Sequence, residues 1–288
     1  MATKIGFVCD STADFPQGMV AELGLHILPV HIFIDGKDHL HGIGIDNQGV
    51  IERLKKHREV YTKPFFPVEC ADFFENLLER YDHIVSFHLS AHLSGNFQSA
   101  TNSLNLMTEK DAERVTVLDL GSASVSLAML VKKAVEMMRG DNDPSTLDAR
   151  MAPYRENAFM AFTVENLIWL KKGGRVSALS AFVGRMLDIK PVINLQGAKL
   201  VPTERHRGKK PALKRLVELA EAQNEQFDGN CDVWLAHADC LDEVAFTREK
   251  LSVRIGKAPQ DIEMVEIGAS VSVHAGPGSI CVAMLPNG

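Results

Sequence analysis

The stretch Ser90-Ala91-His92-Leu93-Ser94-Gly95-Asn96-Phe97-Gln98-Ser99-Ala100 decides how the chain is read. Just before it, Ile84-Val85-Ser86-Phe87-His88-Leu89 has the β-rich, roughly alternating character of a buried strand. After it, Ala100, Leu104 and Met107 recur at helical spacing. Leu93-Ser94-Gly95 is therefore a short turn from a strand into a helix. In open α/β sheets, ligands bind outside the carboxyl ends of the strands. A helix start adds unpaired N–H groups and partial positive charge. The Ser94 hydroxyl can donate to an anion. The expectation is a turn that holds an acidic head group.

Upstream, Ile5-Gly6-Phe7-Val8-Cys9 reads as a strand ending in the polar turn Asp10-Ser11-Thr12-Ala13-Asp14-Phe15-Pro16. Pro16 suits the first turn of a helix carrying Met19, Val20 and Leu23. A second strand is expected over 26–34, and Asp46 as the N-cap of a helix with Val50, Ile51 and Leu54 on one face. Two prolines keep Tyr61-Thr62-Lys63-Pro64-Phe65-Phe66-Pro67 from being helical, so Thr62 is expected in a restrained loop. Cys70, Phe73, Phe74, Leu77 and Leu78 then form a helical apolar stripe. Downstream, Val115-Thr116-Val117-Leu118 is a strand, followed by Asp119, Gly121-Ser122-Ala123-Ser124 and a helix with Leu127, Leu130, Val131, Ala134, Val135 and Met138 inward. Alternating strands and helices imply a parallel sheet covered on both faces, a three-layer α/β/α unit.

Past Asp141-Asn142-Asp143-Pro144-Ser145 and a short helix with Leu147 and Met151, the strands come closer together: 158–164, 191–195, 199–202, 232–238, 262–267, and a glycine-broken pair around His274 and 280–285. Gln196-Gly197-Ala198 is hairpin-sized. A mixed sheet follows, and with it an α/β fold of two domains, 1–155 with a mainly parallel sheet and 156–288 with a mixed sheet.

At 288 residues, two domains are the first expectation. A net charge of −6 argues against nucleic acid as a partner, and no apolar run is long enough to cross a membrane. The N-terminus lacks a signal-peptide apolar segment. Cys9, Cys70, Cys231, Cys240 and Cys281 are scattered without metal-type spacing and read as reduced core thiols, so a cytoplasmic location is expected.

Three polar strand ends, Asp10 to Thr12, Ser90 to Gly95 and Asp119 to Ser124, fall on one edge of the first sheet. Taken singly, Asp10, Ser11, Ser122 and Ser124 suit turns and caps; Ser94 is the best ligand candidate. In Leu170-Lys171-Lys172-Gly173-Gly174-Arg175, Gly173 suits a helix C-cap and Arg175 is free to face a ligand or an acid. Arg205-His206-Arg207-Gly208-Lys209-Lys210 is a basic run between a strand and a helix; such runs are usually solvated, but Arg also suits phosphate. His274-Ala275-Gly276-Pro277-Gly278 reads as a rigid loop bearing a histidine. Residues 178–187 are apolar nearly all round and need cover on most sides, at a domain interface or along an apolar cavity.

Together these motifs resemble the DegV family: Asp10-Ser11-Thr12-Ala13-Asp14-Phe15-Pro16, Leu93-Ser94-Gly95 with Gln98-Ser99-Ala100, Lys172-Gly173-Gly174-Arg175, Ile189-Lys190-Pro191, Arg207-Gly208-Lys209-Lys210 and His274-Ala275-Gly276-Pro277-Gly278. The resemblance implies a two-domain α/β protein that holds a long-chain fatty acid in a tunnel, with no cofactor. It implies a carrier subunit, not itself an enzyme, serving a separate fatty acid kinase subunit that phosphorylates the bound carboxylate to an acyl phosphate, a step in phospholipid metabolism. It places Thr62, Ser94 and Gly95 on the carboxylate, His274 near it, and Arg175 and Arg207 at the head-group region and the kinase contact. Lys63-Pro64 replaces the family's usual Ser-Gln beside Thr62, and Asp188 stands where Asn is usual.

Two other readings compete. A serine hydrolase would pair Ser94 with His274 and Asp10 or Asp119, although Leu-Ser-Gly is not the Gly-x-Ser-x-Gly elbow. The other is nucleotide or sugar-phosphate binding at the first sheet; no GxGxxG or P-loop pattern follows the first strand, which argues against a dinucleotide.

Overall fold

Thirteen strands and eleven α-helices follow one another in a computed structural model that describes residues 3–56, 58–140, 143–175 and 188–288. In chain order the first half comprises β1 (Ile5–Asp10), α1 (Met19–Leu23), β2 (Leu25–Leu28), β3 (His31–Ile34), β4 (Lys37–Leu40), α2 (Asn47–Lys55), β5 (Val60–Lys63), α3 (Pro67–Leu78), β6 (His83–His88), α4 (Asn96–Ser103), α5 (Glu109–Ala112), β7 (Val115–Asp119), α6 (Ser124–Gly140) and α7 (Pro144–Asn157). The second half comprises β8 (Phe159–Thr163), α8 (Ile168–Lys172), β9 (Ile189–Gln196), β10 (Lys199–Arg207), α9 (Lys209–Gln226), β11 (Cys231–His237), α10 (Leu241–Ile255), β12 (Ile262–Glu266), α11 (Ala269–Ala275) and β13 (Ile280–Pro286).

The fold is α/β with one parallel and one mixed sheet. The parallel sheet runs β2-β1-β6-β7, and the mixed sheet runs β10-β9-β8-β13-β11-β12 with β11 and β12 its parallel pair. A third, antiparallel sheet runs β4-β3-β5. Strand alternation sorts the side chains. Val8 and Ile84 face α3 and α4, where Phe74, Leu77 and Ala100 cover them. Cys9, Val85 and Phe87 face the other way, into a core they share with α6 and with Phe162, Trp234 and Cys281 of the mixed sheet. The far face of the mixed sheet, with Val192, Val233 and Val282, packs on Leu216 and Val217 of α9 and Val244 and Leu251 of α10. The apolar core between the two sheets is thus continuous, and a pocket opens within it.

Several local expectations hold for stated reasons. Asp46 caps α2 by accepting from Gly49 N at 2.7 Å. The β9–β10 link is a tight antiparallel turn, with Ala198 at φ 63. All five cysteines are buried free thiols. No helix among the described residues is long and apolar enough to cross a membrane.

Others are corrected. The strand expected over 26–34 is two strands in different sheets. Pro29 has no N–H to give a ladder, and Val30 N donates to Ser11 Oγ instead. Thr62 lies in a strand, β5, not a loop, and Pro67 starts α3. Pro16 precedes α1, which begins after Gly18. The helix after Gly95 stops at Ser103 and gives way to a 3₁₀ turn. The basic run is not a connection: Arg205 to Arg207 complete β10, and Gly208 alone separates them from α9. His274 is in the last turn of α11, not in a loop between strands. The apolar segment 178–187 lies outside the described residues.

Candidate functional site

One pocket of about 870 Å³, counting the space open at its mouth, lies where the parallel sheet, the small sheet, α11 and the mixed sheet meet. Met160, Phe162, Leu200, Ile267, Val271 and Cys281 give it apolar walls. Thr62, Ser94, Asn96, Arg175 and His274 supply polar groups.

Each polar residue is placed by its own element. In β5, Thr62 pairs with Ile32 of β3 and turns its side chain inward, where Oγ1 lies 2.8 Å from His274 Nε2. His274 comes from α11, whose start is tied to the first half of the chain: Gly268 N donates to Asp14 Oδ1 at 2.8 Å, Ala269 N to Asn47 Oδ1 at 2.7 Å, and Ser270 Oγ to Ser11 O at 3.2 Å. Asp14 also accepts from Ser124 Oγ at 2.5 Å. Burial pushes the Asp14 carboxyl up to about 7, with Glu266 adding to the rise and the two hydrogen bonds opposing it.

Burial, assisted by the neighbouring Arg175 charge, lowers the His274 pKa to about 3, so the ring is neutral across the physiological range. Its Nδ1 has no partner among the described residues and faces Gly173. A Cβ at Gly173 would stand 2.2 Å from that nitrogen. Gly173 is the C-cap of α8 at φ −74, so glycine is needed there for room, not for backbone freedom. Gly174 takes the left-handed φ of 71 and turns the chain so that Arg175 Nε donates to Leu93 O at 3.0 Å and Nη1 to Gly173 O. Arg175 thus binds the Leu93-Ser94-Gly95 turn to α8, and burial lowers its pKa from the usual value.

Below that turn lies a fully buried carboxylate. Asp10 accepts from Thr12 N at 3.1 Å, Leu89 N at 3.1 Å, His88 Nδ1 at 3.1 Å, and the Thr12 hydroxyl. Burial works to raise its pKa, but the His88 bond and charge, with the Thr12 and Leu89 donors, hold it below the usual carboxylate value. Asp10 therefore ties the ends of β1 and β6 together. Gly95, the N-cap of α4, packs under Pro64: a Cβ there would sit 3.1 Å from Pro64 Cγ. Pro64 thus braces the turn. Lys63 points to the opposite face of β5, its ammonium 4.7 Å from the Phe33 ring centroid.

The structure brings Thr62, Ser94, Arg175 and His274 together on the pocket wall, while Gly95, next to Ser94 in the chain, packs against Pro64 and is not part of that wall. It does not bring Arg207 into the pocket wall. The pair Arg207–Ile189 lies three register positions past Glu204–Val192, which is level with Thr163 and Ile280, or about 10 Å further along the sheet. Nor does it assemble a hydrolase triad. The Ser94 hydroxyl donates to Asn96 Oδ1 at 3.0 Å, His274 is bonded to Thr62, Asp10 holds the β1 and β6 turns, and Asp119 accepts from Ala91 N and Gly121 N. Sequence reasoning missed Asn96, although it stands next to Gly95. Its only signal was an amide at a helix start, which caps alone explain.

Comparison with known proteins agrees with this architecture. The family model described as "Uncharacterised protein, DegV family" matches residues 4–287. A DegV domain-containing protein of Deinococcus radiodurans is 32% identical over 285 residues, spanning 98% of this chain and 99% of the relative. The fatty-acid-binding DegV family protein from Thermus thermophilus superposes with a TM-score of 0.87 at 27% identity, covering 98% of this chain and 99% of that one. DegV of Bacillus subtilis, a fatty acid binding protein, superposes at 0.85 with 25% identity over 99% and 100% of the two chains. The chain belongs to the DegV family.

Proposed function

We propose that this protein is a carrier of a long-chain fatty acid. The acyl tail lies along Phe162, Met160 and Leu200, and the carboxylate sits at Thr62, Ser94, Arg175 and His274, which line the pocket, with the Gly95 N–H at the start of α4 as a further donor in this reading. Residues 1–155 supply Thr62, Ser94 and Gly95 and residues 156–288 supply Arg175 and His274, so binding spans the domain division we place there. The observation that carries the reading is the make-up of the pocket: apolar side chains form most of its walls, the Thr12, Ser124, Ser270 and Ser279 hydroxyls on it donate to protein acceptors, and the Thr62–His274 pair, Ser94 and the Arg175 guanidinium are the polar groups that face a ligand in this reading. The fatty-acid-binding relatives from Thermus thermophilus and Bacillus subtilis support it.

The energetics fit. Each buried methylene is worth roughly 0.8 kcal/mol, so a dozen supply about 10 kcal/mol before the losses of association. The polar groups then need only fix one end. Arg175 supplies the compensating charge, and its own carbonyl contacts keep it in place.

The carrier has no chemistry of its own in this reading. A separate kinase subunit in the cytoplasm phosphorylates the presented carboxylate, and Arg207, beyond the pocket along the same sheet, contacts that subunit. Phosphoryl transfer needs an in-line approach, which an accessible head group allows.

The test is to extract lipid from protein purified without detergent and analyse it by mass spectrometry, then titrate stripped protein with palmitate and oleate. A stoichiometric fatty acid and saturable rebinding are expected. Protein that carries none and takes up neither, or that is stabilised by nucleotides instead, rejects the proposal.

A further inference from the structure

Asn96 opens α4, is 1% exposed, and borders the pocket beside Ser94. Its Oδ1 accepts the Ser94 hydroxyl at 3.0 Å, while its Nδ2 has no acceptor among the described residues. That arrangement has the wrong polarity for an anion. The Ser94 proton is directed at Asn96, and Ser94 shows the pocket only lone pairs. It also buries an amide nitrogen without an acceptor, and orphaned N–H groups are rarer in proteins than under-satisfied carbonyls. Turning the amide over about its last side-chain bond exchanges nitrogen and oxygen without changing the shape of the residue. Nδ2 then donates to Ser94 Oγ, and the hydroxyl proton is released toward the pocket.

We propose that Asn96 is a positioning residue that makes Ser94 a donor, and that through Ser94 it sets the preference of the pocket for a carboxylate over an uncharged head group. The inference rests on the fatty-acid reading above. Ser94 touches the ligand; Asn96 acts through it. A hydroxyl free to rotate accepts an alcohol as readily as an acid. A hydroxyl whose oxygen is held by an amide N–H offers its proton first, which favours the ion.

The test compares Asn96→Leu with the natural protein, using palmitate and 1-hexadecanol as ligands of equal chain length. Palmitate affinity is expected to fall about tenfold, as for a lost hydrogen bond to a charged group, with hexadecanol held within about twofold. In a Ser94→Ala background the Asn96→Leu change is expected to add less than about twofold, because the two residues act as a unit. Unchanged or tighter palmitate binding overturns the proposal, since it means Asn96 holds the Ser94 proton away from the ligand. Equal losses for both ligands overturn it too, as does a further tenfold loss in the Ser94→Ala background. Asn96→Met replaces the leucine variant if that melts well below the natural protein. If the natural protein binds neither ligand, the fatty-acid reading fails and this inference with it.

Discussion

Thr62 Oγ1 and His274 Nε2 lie 2.8 Å apart although 212 positions separate them in the chain. The bond joins the small sheet to α11 at the polar part of the pocket. Because His274 is neutral, it works as a hydrogen-bonding group and not as a charge.

That neutrality has a pH signature. The folded-state pKa of His274 is about 3 against 6.5 for the free side chain. Below pH ~6.5 the unfolded chain takes up a proton that the folded protein does not. The contribution is therefore present above 6.5 and is lost as pH falls toward 3, by about 1.4 kcal/mol per pH unit for this group. Denaturant melts between pH 4 and 7 should show a steeper loss for the natural protein than for His274→Gln. Equal slopes would mean that the ring titrates normally in the folded state.

His31 predicts the opposite sign. Its Nδ1 lies 2.9 Å from Asp38 and its Nε2 2.9 Å from Glu69, and Glu69 also accepts from Phe66 N at 2.8 Å. Burial opposes the charge, but the two carboxylates prevail and raise the pKa above 6.5. The stabilisation is fully present below 6.5 and is lost as pH rises through the folded-state value. Thermal melts from pH 6 to 9 should show a decline that His31→Gln abolishes. Imidazole titration followed by NMR reads the same shift directly.

Gly173→Ala places a methyl group 2.2 Å from His274 Nδ1. The backbone at φ −74 accepts alanine, so the whole effect comes from the clash. Overpacking of this kind costs about 1–3 kcal/mol. His274 is the group displaced, so palmitate affinity should fall at least about tenfold. Calorimetry of ligand binding beside thermal melts checks both numbers.

Met160 shares a face of β8 with Phe162 and lies about 7 Å further from the Thr163–Ile280 register pair. Met160→Ala should lengthen the acyl space and destabilise unliganded protein by about 2–5 kcal/mol. Competition between acyl chains of increasing length should move the preferred length upward. A preference that stays where it was places the end of the tail elsewhere.

Much of the site was legible as local grammar. A strand, then Leu93-Ser94-Gly95, then a helix is written in neighbouring residues. So are the Asp46 cap and the 196–198 turn, because capping and turn chemistry act over three or four positions. His274 was misplaced because α11 is only seven residues long, rich in serine and valine, and followed by Gly276-Pro277. Nothing local marks it as helical; its ties to Asp14, Asn47 and Ser11 hold it so. The 26–34 strand was misread because its apolar character continues through Pro29, and only pairing shows that its halves belong to different sheets.

The α/β class, the polar turns at the strand ends and the residue types available for an anion can be read from the chain alone. Those depend on periodicity and short-range hydrogen bonding. It took strand pairing and packing to show that Thr62 meets His274, that Gly173 must be glycine to make room for that ring, that Asn96 borders the pocket, and that Arg207 lies outside the pocket wall. Those facts follow from strand register and from how two sheets pack on one shared core, where residues far apart in the chain become neighbours.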